Sequence, residues 1–168
     1  MVEFLFLAHT HGFLADNVKL QACVASFSPD LVLHEQLQDC TDVAMLSPQS
    51  KLFQENKEVL EICRCTRLEG CDLKDFGLSD ALQAAINEKK LTPELKKELE
   101  EVLRTREAFH IKRLVKCKEN KVLVVLGAWH LRKGGPLQKK YPDEKYILVV
   151  DKDGKECLEP TQDARFSA

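Results

Sequence analysis

Val122-Leu123-Val124-Val125-Leu126-Gly127-Ala128-Trp129-His130 holds five uninterrupted apolar residues, three of them β-branched, followed by a glycine and, three residues later, a histidine. A run this short and this uniformly apolar reads as a strand buried on both faces, the pattern of a parallel sheet covered by helices. It is also far too short to span a bilayer. Upstream, Lys118-Glu119-Asn120-Lys121 reads as a turn, and before it Thr92-Pro93-Glu94 starts a long helix: Thr92 is the N-cap, Pro93 takes the first helical position and Glu94 lies in the first turn. The capping box is incomplete, because Leu95 stands where Glu or Gln would close it. The periodicity carries this helix to about Cys117, with Leu95, Leu99, Val102, Leu103, Arg106, His110 and Leu114 facing inward. Downstream, Gly134-Gly135-Pro136 precedes a short helix and a last strand, Tyr146 to Val150, and Asp151-Lys152-Asp153-Gly154 predicts a small edge hairpin.

The opening of the chain repeats the theme. Phe4 to Ala8 is a buried strand ending in His9-Thr10-His11-Gly12; a helix from about Asp16 presents Val18, Ala22, Cys23 and Phe27; Ser28-Pro29-Asp30 stops it. Leu31-Val32-Leu33-His34 is the next strand, with Glu35 at its carboxyl end, and such a β-helix-β unit implies parallel strands. In the middle, Gln36 to Ser50 is loop-like, Lys51 to Glu61 is helical, and Ile62 to Asp72 holds a strand ending near Gly70-Cys71-Asp72. The expectation is a single α/β domain over residues 1–160, with a mostly parallel central sheet flanked by helices, a helical middle segment, an antiparallel edge hairpin, and a flexible tail at 161–168.

Composition narrows the function classes. With 168 residues, 44% of them hydrophobic, the chain buries a real core without disulfide or metal staples. Its 25 basic and 27 acidic side chains leave no single-sign field, so nucleic acid is excluded as the main partner. The densest basic stretch, Arg132, Lys133, Lys139 and Lys140, is short and lacks aromatics for base stacking. Glu3 and the end of the apolar run at His9 argue against a secretory leader, and no run suits a membrane, so the cytoplasm is expected. Seven cysteines, at 23, 40, 63, 65, 71, 117 and 157, are odd in number and irregular in spacing, which predicts free thiols. Cys63-Arg64-Cys65, with Cys71 nearby, reads as buried thiols sooner than as a zinc site.

In an open α/β sheet, ligands bind at the carboxyl ends of the strands. Three ends here carry polar chemistry, His9-Thr10-His11, His34-Glu35 and Trp129-His130, and they hold four of the five histidines. Imidazoles and a carboxylate converging there suit a metal or acid–base site, although each residue alone reads sooner as hydrogen-bonded to a loop or solvated. Gly127 has two readings, a turn with positive φ or a close approach of backbone to ligand. Arg106 either finds a buried carboxylate or anionic ligand, or extends to the surface as Arg104 and Arg113 are expected to do.

Gly127-Ala128-Trp129-His130 after its strand, with Thr105-Arg106-Glu107-Ala108-Phe109 on the preceding helix, resembles the C-terminal half of TraB/PrgY and TIKI proteins, relatives of the erythromycin-esterase-like and ChaN-like proteins. That pattern runs from a first Gly-x-x-His through a Glu and a late-helix Arg to a second Gly-x-x-His. His11, Glu35, Arg106 and His130 match it in order, with Ala8 where the first Gly would stand, and Asp72 resembles a further acidic position of some relatives. The resemblance implies a hydrolase of peptide or ester bonds, with His11, Glu35, Arg106 and His130 catalytic. His11, Glu35 and His130 would hold a divalent metal, Mn²⁺, Co²⁺ or Zn²⁺, and Arg106 would neutralise the glutamate or a developing oxyanion. It also admits non-catalytic members, since ChaN-like proteins bind haem. The alternative is therefore a ligand-binding or regulatory protein of the same fold. The expected partners are a small-molecule or peptide substrate, with a homodimer left open. Phe6-Leu7-Ala8-His9-Thr10-His11-Gly12 resembles the opening of calcineurin-like phosphoesterases, but the later motifs of that family are missing, and amidohydrolases need a full barrel.

Overall fold

A computed structural model describes residues 2–9, 14–147, 149–150 and 156–157, the backbone alone at 14–16, 149–150 and 156–157. Five strands, β1 (Glu3–His9), β2 (Leu31–His34), β3 (Arg67–Gly70), β4 (Lys121–Gly127) and β5 (Lys145–Ile147), form one sheet in the order β3-β2-β4-β1-β5. Every pairing in it is parallel. The connections carry helices: α1 (Leu14–Phe27) joins β1 to β2, α2 (Lys51–Glu55) and α3 (Lys57–Ile62) lead to β3, α4 (Asp80–Asn87) and α5 (Pro93–Leu114) to β4, and α6 (Pro136–Lys140) to β5. The α/β fold with its parallel sheet is as the apolar runs predict.

Alternation along the strands builds two cores. Phe4, Phe6, Ala8, Leu31, Leu33, Val122, Val124 and Leu126 meet Leu114 and Leu137 on one face. Leu5, Leu7, Val32, Leu123 and Val125 meet Leu20, Cys23 and Val59 on the other. With both faces covered, each fully buried leucine contributes about 1.5–3 kcal/mol, and the strands read as continuous apolar runs.

Several expectations are corrected. The last strand is split: β5 pairs with β1 over Leu5–Leu7 only, and Val149–Val150 (β6) pairs antiparallel with Glu156–Cys157 (β7). An edge strand bonded on one side is weakly held, and the hairpin satisfies the backbone that leaves it. In α1, Val18 is exposed and the inward stripe is Leu20, Cys23, Val24 and Phe27, the spacing a helix requires. The helix expected over 51–61 breaks at Asn56, whose side-chain amide donates to Leu52 O at 2.9 Å. The helix α4, unforeseen, starts where Ser79 Oγ accepts from Leu82 N at 3.2 Å. Helix α5 does start at Thr92, whose hydroxyl accepts from Leu95 N at 3.3 Å, but its buried residues are Leu99, Glu107, His110 and Leu114. Arg113, expected at the surface, pairs with the buried Glu69.

Six cysteines, at 23, 40, 63, 65, 71 and 117, are free among the described residues, and burial pushes the Cys63 thiol up to about 12. No helix among the described residues is long and apolar enough to cross a membrane. The segment 161–168 lies outside them.

Candidate metal centre

The sheet register gathers the polar strand ends at one edge. His9 lies beside Gly127, and His34 lies between Val125 and Gly70. Two glycines then let neighbouring segments close in. At Gly70 a side chain would collide with the carbonyls of Leu37 and Gln38, because the turn after β2 lies directly on the end of β3. Gly70 N donates to Cys40 O at 2.5 Å and Asp72 N to Gln38 O at 2.9 Å, which ties Glu35 and Asp72 to one local frame. At Gly127 a Cβ would stand 3.0 Å from Glu35 Oε1. Its φ is −55°, so close approach, and not a left-handed turn, requires the glycine.

Helix α5 runs past these ends and supplies Arg106, Glu107 and His110. Arg106 Nε donates to both oxygens of Asp72, at 2.9 and 3.1 Å, and its Nη2 lies 3.9 Å from Glu35 Oε2. The Phe76 ring covers the guanidinium at 5.0 Å. His110 Nε2 lies 3.3 Å from Asp72 Oδ2. On the same buried face of the helix as His110, Glu107 pairs with Arg132 and sits 3.8 Å from His130 Nδ1. Two chains of contact, Arg106–Asp72–His110 and Arg132–Glu107–His130, thus end in imidazoles packed edge-to-face, 4.7 Å between centroids at 88°.

Glu35, Asp72, His110 and His130 each offer a ligand atom within 4.8 Å of the others', and all four are buried. Both carboxylates there face Arg106. Burial alone would raise the Asp72 pKa, but His110 and Arg106 outweigh it and hold the carboxyl below its ordinary value. Glu107 is likewise held low against its burial by His130 and Arg132. Burial pushes the His130 pKa down, partly offset by Glu107, so the ring stays neutral and able to donate a lone pair.

Of the residues singled out in the sequence, Glu35, Asp72, Arg106 and His130 come together here, while His11 lies outside the described residues. His9 and His34 stand apart, on the sheet face that meets α1, their rings 5.2 Å apart, and His34 Nδ1 accepts from Gln36 N at 3.2 Å. His110 and Glu107 were not anticipated as site residues. The signal for His110 was its place four residues after Arg106 on one helix face.

No family model matches the chain, and no curated protein matches it. Among solved structures, ChaN of Campylobacter jejuni, described with cofacially bound haem, matches over 94% of this chain and 84% of that chain, with a TM-score of 0.53 and 14% identity. The likeness shows a shared fold.

Proposed function

We propose that this protein binds one divalent metal ion through Glu35, Asp72, His110 and His130, and that the centre hydrolyses an ester or peptide bond of a small-molecule or peptide substrate. The observation that carries the reading is the approach of four buried N and O donors to within 4.8 Å of one another. Mixed imidazole and carboxylate donors suit Zn²⁺, Mn²⁺ or Co²⁺. A bound ion would act as a Lewis acid toward a carbonyl. Arg106 holds Asp72 with both oxygens fixed, and Phe76 shields that pair from water. The TraB/TIKI-like order of Glu35, Arg106 and His130 supports the hydrolytic reading, in which His11 is a further ligand.

Binding without catalysis is the second reading, favoured by the fold shared with the haem-binding ChaN. The described histidines fit haem poorly. All four are at most 4% exposed, so none stands at the surface to meet a porphyrin iron. Titration of chelator-treated protein with Zn²⁺, Mn²⁺ and Co²⁺ by calorimetry, followed by an ester and peptide hydrolysis screen, tests both. Binding at one equivalent that Glu35→Gln abolishes, with metal-dependent turnover, supports the proposal. Binding without turnover leaves the ligand-binding reading, and no binding removes the metal centre. A Soret shift on adding hemin, lost in His130→Ala, would favour haem instead.

A further inference from the structure

Glu107 is the most costly side chain of α5 to explain: a carboxylate 1% exposed on a helix face otherwise made of Leu99, His110 and Leu114. A buried charge needs a partner, and Arg132 supplies it, with Nη2 3.3 Å from Oε2 and Nη1 paired with Oε1. Arg132 is itself locked, because its Nη1 also donates to Trp129 O at 3.0 Å and its guanidinium stacks 3.7 Å from the Trp129 ring centroid. A plain tether between α5 and the turn after β4 would need no more than this. Yet the Oε1 of Glu107 also faces His130 Nδ1, at 3.8 Å, slightly beyond direct hydrogen-bonding range. Glu107 is not among the four clustered donors.

We propose that Glu107 is the positioning residue of the metal centre: it holds the His130 proton on Nδ1 and commits Nε2 to the ion, while Arg132, clamped on Trp129, fixes its carboxylate. A neutral imidazole carries one N–H, and a carboxylate facing one ring nitrogen places the proton there and leaves the other lone pair for metal. Asp72, itself one of the four ligands, contacts His110, and both it and Glu107 are paired with an arginine. With an ion on Nε2, the 3.8 Å contact would need to shorten only slightly to become a hydrogen bond. The inference rests on the metal-binding reading above.

Long-range ¹H–¹⁵N spectra of the Zn²⁺-loaded protein test it without a variant. The expected result is a protonated Nδ1 and a metal-bound Nε2 at His130; the opposite tautomer overturns the inference. Glu107→Gln should then weaken Zn²⁺ binding about 10–100-fold and shift the visible bands of the Co²⁺ form. Arg132→Met, which removes the group that fixes the Glu107 carboxylate, should shift those bands in the same direction by a smaller amount. Equal spectra for Glu107→Gln and the parent would make Glu107 a tether only, with the metal centre intact. If the parent binds no Zn²⁺, the reading beneath falls as well.

Discussion

Two of the three arginines of helix α5, Arg106 and Arg113, each meet an acid of the β3 segment, Asp72 and Glu69. Seven helical residues and three extended ones both span about 10 Å, so the two pairs are rungs of one ladder between antiparallel elements. They differ in their surroundings. Glu69 has two arginines, Arg113 and Arg67, and Arg67 also reaches Glu119 at 2.8 Å, with the Arg67 side chain 61% exposed. Asp72 is fully buried and shares Arg106 with Glu35. At the lower rung two arginines serve two acids, and water screens them. At the upper rung two buried carboxylates meet at Arg106, and this is where the proposed metal site lies.

The contrast breaks first in stability. Arg106→Ala leaves Asp72 buried without its strongest partner and is expected to lower the unfolding free energy by about 3–5 kcal/mol. Arg113→Ala, with Arg67 still on Glu69, should cost about 1 kcal/mol. Urea titration of the two variants side by side measures this, and equal losses would show that the rungs are equivalent.

Arg106→Lys keeps the charge but loses the two-pronged donor. It should stay within about 1 kcal/mol of the parent, while kcat/KM on the substrate found by the screen, or ligand affinity if there is no turnover, falls by about tenfold or more. Parental values for both would make Arg106 a simple counter-charge like Arg113.

The smallest expected effect is at Gly127. Because the atom a methyl would meet is the flexible end of Glu35, 3.0 Å away, Gly127→Ala should change the melting temperature little yet displace that carboxylate and weaken Zn²⁺ binding several-fold. A large loss of stability with unchanged affinity would show that the glycine serves the backbone and not the site.

Much of this was legible in the chain itself. The apolar runs at Phe4 to Ala8, Leu31 to Leu33 and Val122 to Leu126 become β1, β2 and β4, and Thr92-Pro93 starts α5, because strand burial and helix capping are settled within a few residues. Glu35, Asp72 and His130 fall at strand ends for the same local reason. Partnership was not legible. The sheet order β3-β2-β4-β1-β5 sets Glu35 over Gly127 and sends His9 and His34 to the opposite face, through pairings between segments far apart in sequence. The apolar spacing of α5 admits Arg106, Glu107 and His110 together on or beside its inner face. Only the docking of that helix on the end of β3, across the 34 residues from Asp72 to Arg106, turned Arg106 toward Asp72 and Glu107 toward Arg132 and His130. A periodic sequence records which side of an element avoids water, whereas the charge that each buried acid meets there is decided by the element packed against it.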